Sequence, residues 1–210
     1  MSESAVSGWN RRDFFGGMAL FALAIGVPVA SVALSDLPDE EAPSERQRAM
    51  MREVSQLVVP KTATAGAGDV GVGDFVILAL AHGLEGSRAP SAGAAAPPLA
   101  RFRRPDGSLR QLHWLENELN QRGGGDFLAR TPAERRMLLA AVDAEAFAEG
   151  AREHPWRTVK ALILTGYYTS EVGASQELQY ELVPGRWDPD LPLKRGDRAW
   201  SSDWTAVEFG

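Results

Sequence analysis

No cysteine occurs anywhere in the 210-residue chain. Disulfides, thiolate catalysis, zinc fingers and cysteine-ligated iron–sulfur clusters therefore lie outside its chemistry. This does not fix the compartment, because a protein exported already folded needs no oxidative folding. Histidine is scarce: His82, His113 and His154 stand in different segments. With no H-E-x-x-H and no pair at ligand spacing, no metal site is expected. No G-x-S-x-G elbow marks a nucleophile. The net charge of −6 gives no general attraction to nucleic acid or anionic lipid. Arg101, Arg103 and Arg104 cluster, but Asp106 follows at once, so they read as a solvated basic loop. What the chain does have is large apolar area: 44% hydrophobic residues, with six Trp, eight Phe and three Tyr. That suits one globular domain plus a targeting segment or long loops.

The amino end reads as an address. Arg11-Arg12-Asp13-Phe14 opens a charge-free apolar run from Phe14 to Leu34. A basic pair ahead of an apolar core is the layout of a secretory signal, and adjacent arginines followed by Phe14 point to the twin-arginine type. Asn10 departs from it, standing where that signal carries Ser or Thr. Ser31-Val32-Ala33 offers small residues for an A-x-A-like cleavage site, with Pro28 just before it. The run also matches the roughly 20 residues needed to cross a bilayer, so residues 1–35 are either a cleaved signal or a retained anchor. The expected location is periplasmic, with membrane contact through this segment alone.

From residue 36 the pattern predicts a small, mostly α-helical domain with long irregular loops and an extended carboxyl-terminal tail. Asp36 to Glu45 is acidic and proline-containing, a linker by composition. Ser44 and Gln47 fit a capping box, followed by Met50, Val54, Leu57 and Val58 on one helical face, with Pro60 as the stop. Lys61 to Val70 is a Gly/Ala/Thr loop. Asp74 to Leu84 fits a short helix, although Phe75-Val76-Ile77-Leu78 also fits a strand. Residues 86–108 read as a flexible insertion: Gly86 to Pro98 is low in complexity, and Pro105-Asp106-Gly107 is a turn. A helix through Leu112, Leu115 and Leu119 ends at Gly123. Thr131-Pro132-Ala133-Glu134 starts another, carried by Met137, Leu138, Ala141, Val142, Glu145 and Ala148 to Gly150. After His154-Pro155, Val159, Leu162, Ile163 and Tyr167 mark a helix from Trp156 to Tyr168.

Catalytic patterns are weak. Gly66-Ala67-Gly68-Asp69-Val70-Gly71 fits G-x-G-x-x-G, but it follows a helix rather than a strand and reads as a chance match. Glu171 and Glu177 could form a carboxylate pair for glycoside hydrolysis, which would make the chain a stand-alone exported hydrolase. A membrane-anchored scaffold is a further alternative. The sequence itself suggests a binding surface without catalytic, cofactor or metal residues.

One stretch is dense in identifiable residues: Leu164-Thr165-Gly166-Tyr167-Tyr168-Thr169-Ser170-Glu171-Val172-Gly173-Ala174-Ser175-Gln176-Glu177-Leu178-Gln179-Tyr180, then Val183-Pro184-Gly185-Arg186-Trp187 and Leu191-Pro192-Leu193. Together with Val58-Val59-Pro60-Lys61-Thr62, Gly66-Ala67 and Gly71-Val72, it resembles the gluconate 2-dehydrogenase subunit 3 family. The Gly86 to Pro98 region departs from that pattern. The resemblance implies an accessory subunit with no redox centre, not an enzyme in itself. Its partner would be a large FAD-dependent flavoprotein of the glucose–methanol–choline type that oxidises a sugar, gluconate or glucoside. A cytochrome c with haem would be a third subunit. It further implies that the export signal, with Arg11, Arg12 and Phe14, carries the flavoprotein across the membrane. Candidate interface residues are Tyr167, Tyr168, Thr169, Ser170, Glu171, Gln176, Glu177, Tyr180, Trp187, Trp200 and Trp204. Aromatic rings with polar handles suit protein interfaces, although Tyr167 and Tyr168 would equally close the domain's own core.

Overall fold

The computed structural model describes residues 34–90, 97–180, 190, 192 and 194–201. Helix α1 spans Glu45–Val58, α2 Val72–His82, α3 Gln111–Arg122, α4 Pro132–Ala146 and α5 Pro155–Tyr168. Gly173–Glu177 forms one π turn. β1 (Gln179–Tyr180) then pairs in parallel with β2 (Trp200–Ser201). The fold is mostly helical, as the periodicity predicts.

Helix α2 is the centre. Its sequence VGDFVILALAH leaves no polar face, and Val72, Gly73 and Phe75 to Leu80 are all buried. The helix reading therefore wins over the strand, and a helix apolar all round must be enclosed. α1 and α5 enclose it, contributing Met50, Met51 and Val54 from one side and Val159, Leu162, Ile163 and Tyr167 from the other. Gly73 lets α1 approach: a Cβ there would lie 2.8 Å from the Arg52 backbone nitrogen. The Arg48 guanidinium fixes the pairing through two hydrogen bonds to Asp74, at 3.2 and 2.9 Å.

Sequence signals set the helix starts. Ser44 and Gln47 form the expected capping box on α1, and Thr131 and Glu134 form another on α4. Each cap satisfies N–H groups that the first turn leaves unpaired, a contribution of about 1 kcal/mol. At α5 the His154-Pro155 break is itself the start. His154 Nδ1 accepts from the Trp156 N–H at 3.2 Å, and Pro155 occupies the first turn. Burial holds His154 below the usual imidazole range, the Glu145 and Glu118 charges opposing it and those of Arg122 and Arg157 adding to it, which suits an acceptor nitrogen. α4 stops at Ala146, short of the expected Gly150, and buries Leu139, Val142 and Ala146. Its outer side leaves Met137 and Phe147 exposed, at 64% and 51%, whereas the sequence places Met137 on the helix's main apolar stripe.

Two expectations change at the edges. The stretch after residue 33 is packed rather than a free linker. Leu34 and Leu37 are 6% and 8% exposed within the core, each such burial contributing about 1.5–3 kcal/mol. Arg104 is not a solvated cation either: it is buried and grips Glu41 bidentately, Nε to Oε1 at 2.6 Å and Nη2 to Oε2 at 2.7 Å. Arg88 adds a third contact at 3.1 Å. Glu41 stands 63 positions before Arg104, so local sequence could not show the pair. Within 86–108, Pro105-Asp106-Gly107 makes the expected turn, closed by Arg104 N–H to the Ser108 carbonyl at 2.8 Å. Ser87, Ser108 and Leu109 are buried, while residues 91–96 lie outside the described part. Ser108 and Arg88 hold Asp106 down to about 2.

The Glu41–Arg104 pair makes stability depend on pH. Burial raises its pKa, but the Arg104 hydrogen bonds and the charges of Arg104, Arg88 and Arg110 outweigh this and hold it below the usual carboxylate range. A lowered native pKa means stability that is complete above the unfolded value, about 4.3 for glutamate. That stability is lost as pH falls through the native value. Glu41→Gln should cost up to about 3 kcal/mol at pH 7. It should also flatten the acid limb of a thermal-unfolding series.

Candidate functional site

Among the described residues, the signature stretch divides into an inner and an outer half. Tyr167 is an inner residue, 1% exposed, and its hydroxyl donates to the Ala65 carbonyl at 3.0 Å. It closes the core and ties α5 to the 61–70 loop. Gly166 lies against Phe75 of α2, where a Cβ would meet the ring at 2.5 Å. The next residue, Tyr168, is 40% exposed and stands edge-on to Tyr167 with ring centroids 5.3 Å apart. One residue of chain turns the side chain from core to surface, because successive helical positions differ by about 100°.

Past α5 the polar residues shape the turn. The Ser170 hydroxyl donates to the Tyr167 carbonyl at 2.6 Å and accepts from Gly173 N–H at 3.1 Å. Thr169 is exposed and donates back to Thr165 at 2.7 Å. Glu171 and Gln176 are exposed, and their carbonyls accept from Ser175 and from Arg198. Glu177 is half-buried and accepts a short hydrogen bond from the Thr64 hydroxyl. That commits one of the two carboxylates considered for hydrolysis to a structural partner. β1 to β2 pairing sets Trp200, 51% exposed, opposite Gln179.

Tyr168, Thr169, Glu171 and Gln176 are thus exposed along one stretch of chain that Ser170 and Glu177 brace, and Trp200 is exposed on the strand paired with β1. Tyr180 pairs with Ser201 through β1. Trp187, Trp204 and the signal residues Arg11, Arg12 and Phe14 lie outside the described residues. Thr64, Ala65 and Arg198 support the surface and were not singled out by sequence reading. The 58–72 segment was noted for its residues, but nothing local said it would meet residues 167–177.

Other surfaces carry less. The G-x-G-x-x-G residues lead into α2 from a loop after α1, with no preceding strand, and Gly66 and Gly68 press on Gln56. An open groove of about 660 Å³ beside them is lined by Arg48, Arg52, Asp69 and Asp74 among others, and the Arg48–Asp74 pair occupies part of that charge. Among the described residues no group of three or more His, Asp or Glu is placed to hold a metal ion. None of their helices is long and apolar enough to cross a membrane.

A sequence model of gluconate 2-dehydrogenase subunit 3 matches residues 45–185, well over half of the chain. The chain belongs to that family. The match runs from the first residue of α1 past β1, so both the 58–72 segment and the signature stretch fall inside it. No curated protein and no solved structure matches the chain. As a gluconate 2-dehydrogenase subunit 3 family member, it is a component of a dehydrogenase complex with other subunits.

Gly173 is the stress point of this surface. A Cβ there would fall 2.0 Å from the Tyr167 carbonyl oxygen, a backbone atom that cannot step aside alone. Gly173→Ala should open the π turn, at a cost of about 1–3 kcal/mol, read by urea unfolding. An unfolding midpoint equal to wild type would contradict the described turn.

Proposed function

We propose that this subunit performs no bond-making itself, and that it binds and stabilises a large FAD-dependent flavoprotein of the glucose–methanol–choline type. Its twin-arginine signal escorts that partner, folded, to the periplasm. The sugar, gluconate or glucoside would be oxidised on the partner's FAD, with a haem-bearing cytochrome c as electron acceptor.

One observation carries the binding part of this reading. The two segments that hold the family's pattern are joined by Tyr167 to Ala65 and Thr64 to Glu177. The chain they brace turns Tyr168 outward, and β2, paired with β1, leaves Trp200 exposed. Rings exposed on a hydrogen-bonded frame lose little freedom on docking, which favours affinity. Aromatic anchors of this kind dominate the energetics of many interfaces. Membership of a dehydrogenase-subunit family supports a dehydrogenase subunit as the partner. The apolar run behind Arg11-Arg12 supports the export route.

Two experiments test the two halves. Tyr168→Ala together with Trp200→Ala should weaken binding of the flavoprotein by at least about 30-fold, the equivalent of ~2 kcal/mol at an interface hot spot. The readout is flavin retained on the tagged, folded subunit; undiminished retention would refute this surface as the contact. Changing Arg11 and Arg12 to Lys should leave both proteins in the cytoplasm, and a partner still found in the periplasm would end the escort role.

A further inference from the structure

Four large hydrophobic side chains are exposed among the described residues: Met137, Phe147, Tyr168 and Trp200. The last two belong to the proposed docking surface, which leaves Met137 of α4 and Phe147 at its carboxyl end without a role. Close to them, α1, α4 and α5 converge on a pocket of about 190 Å³. Its floor is core, with Trp156 and Leu139 1% and 5% exposed, and Leu57, Val58 and Ala140 complete the apolar lining. Small-molecule sites run to roughly 300–1,000 Å³. This hollow suits a single apolar side chain instead.

The charged part of the lining is Arg136, Asp143 and Lys160. Asp143 is committed internally: it accepts from the Trp156 indole N–H and from Lys160 Nζ, both at 2.7 Å. Burial raises its pKa, but those hydrogen bonds and the Lys160 charge outweigh this and hold the carboxyl below its usual range. Asp143 therefore stays an anion and balances Lys160. Arg136 is exposed and has no carboxylate partner among the described residues. Arg157 donates to the Ala146 carbonyl at 3.0 Å and stands over the Phe147 ring at 4.4 Å, where Lys160 joins it at 4.7 Å. A chain of net charge −6 thus carries a local excess of positive charge around an open apolar hollow. Potentials facing each other across an interface are complementary. The group that fits here joins an apolar side chain to a nearby carboxylate.

We propose that this pocket receives an apolar side chain of the partner dehydrogenase subunit, and that a carboxylate flanking that side chain pairs with Arg136. The contact rests on the reading of this chain as a partner-binding subunit, and it extends the docking surface. Lys160 and Tyr168 stand eight positions apart on α5, which is about 12 Å along the axis and roughly 80° around it. One partner with an ordinary interface of about 800 Å² a side spans both. Met137 and Phe147 then border the contact and keep water from the Arg136 pair.

The test titrates the flavoprotein co-produced with this chain against the tagged subunit and reads the flavin retained. Arg136→Glu and Ala140→Trp, both at exposed positions, should keep the wild-type unfolding midpoint and bind at least tenfold more weakly. Arg136→Lys should bind as wild type does. Raising the salt should shrink the Arg136→Glu deficit, which is electrostatic, and leave that of Ala140→Trp, which fills the pocket. A photo-cross-linking residue in place of Met137 should join the flavoprotein at a peptide with Asp or Glu beside an apolar residue. Flavin retained equally by wild type and both variants would overturn this contact while leaving the partner reading intact. Wild type that retains no flavin would sink that reading and the contact together. A cross-link to a second copy of this chain would overturn the contact too. So would Arg136→Glu losing affinity for phosphatidylglycerol vesicles but not for the flavoprotein, since the patch would then face a membrane.

Discussion

A helix without a polar face has to be surrounded, and α2 imposes that requirement on everything else. Its residues from Phe75 to Leu80 are buried on every side, so α1 and α5 must pack against it from different directions. Gly73 and Gly166 are the points where α1 and Phe75 come too close for a Cβ. Close packing at those points lets short helices share one core, with Trp156, Tyr167 and Phe127 filling the space between them.

The same requirement shapes the candidate docking surface. α5 must give α2 an apolar stripe, which draws Tyr167 inward and turns Tyr168 outward by helical geometry. The Tyr167 hydroxyl needs a buried partner and finds the Ala65 carbonyl. Thr64, next in the same loop, then reaches Glu177. The two stretches that carry the family resemblance are thus mechanically one unit. Half of it serves the core, and half is held ready on the outside. Stability and recognition are coupled here, because loosening the inner half would also misplace the outer one.

At the opposite end of the chain, charge does what apolar packing does in the centre. Leu34 and Leu37 bring the amino-terminal strap onto the core, and Glu41 fixes it between Arg104 and Arg88. A carboxylate matched by guanidinium forks in a mostly dry setting is directional as well as attractive. The strap therefore has one docking position. This makes residues 34–41 a built part of the domain rather than a tether.

The sequence by itself determined α1, α4 and α5 and where they start, because capping boxes at Ser44 and Thr131, the proline at 155 and the 3.6-residue spacing act over a few neighbouring residues. It also determined the family, because the signature from Leu164 to Tyr180 is a contiguous string. It misjudged what depends on distant partners. Arg104 looked solvated beside Asp106, Asp36 to Glu45 looked like a linker, and Phe75 to Leu78 fitted either a helix or a strand. Only the tertiary structure decided that Tyr167 faces in while Tyr168 faces out, that Thr64 meets Glu177, and that Glu41 belongs to Arg104. Each of those outcomes is set by burial and by hydrogen-bond partners dozens of residues away, which no local pattern encodes.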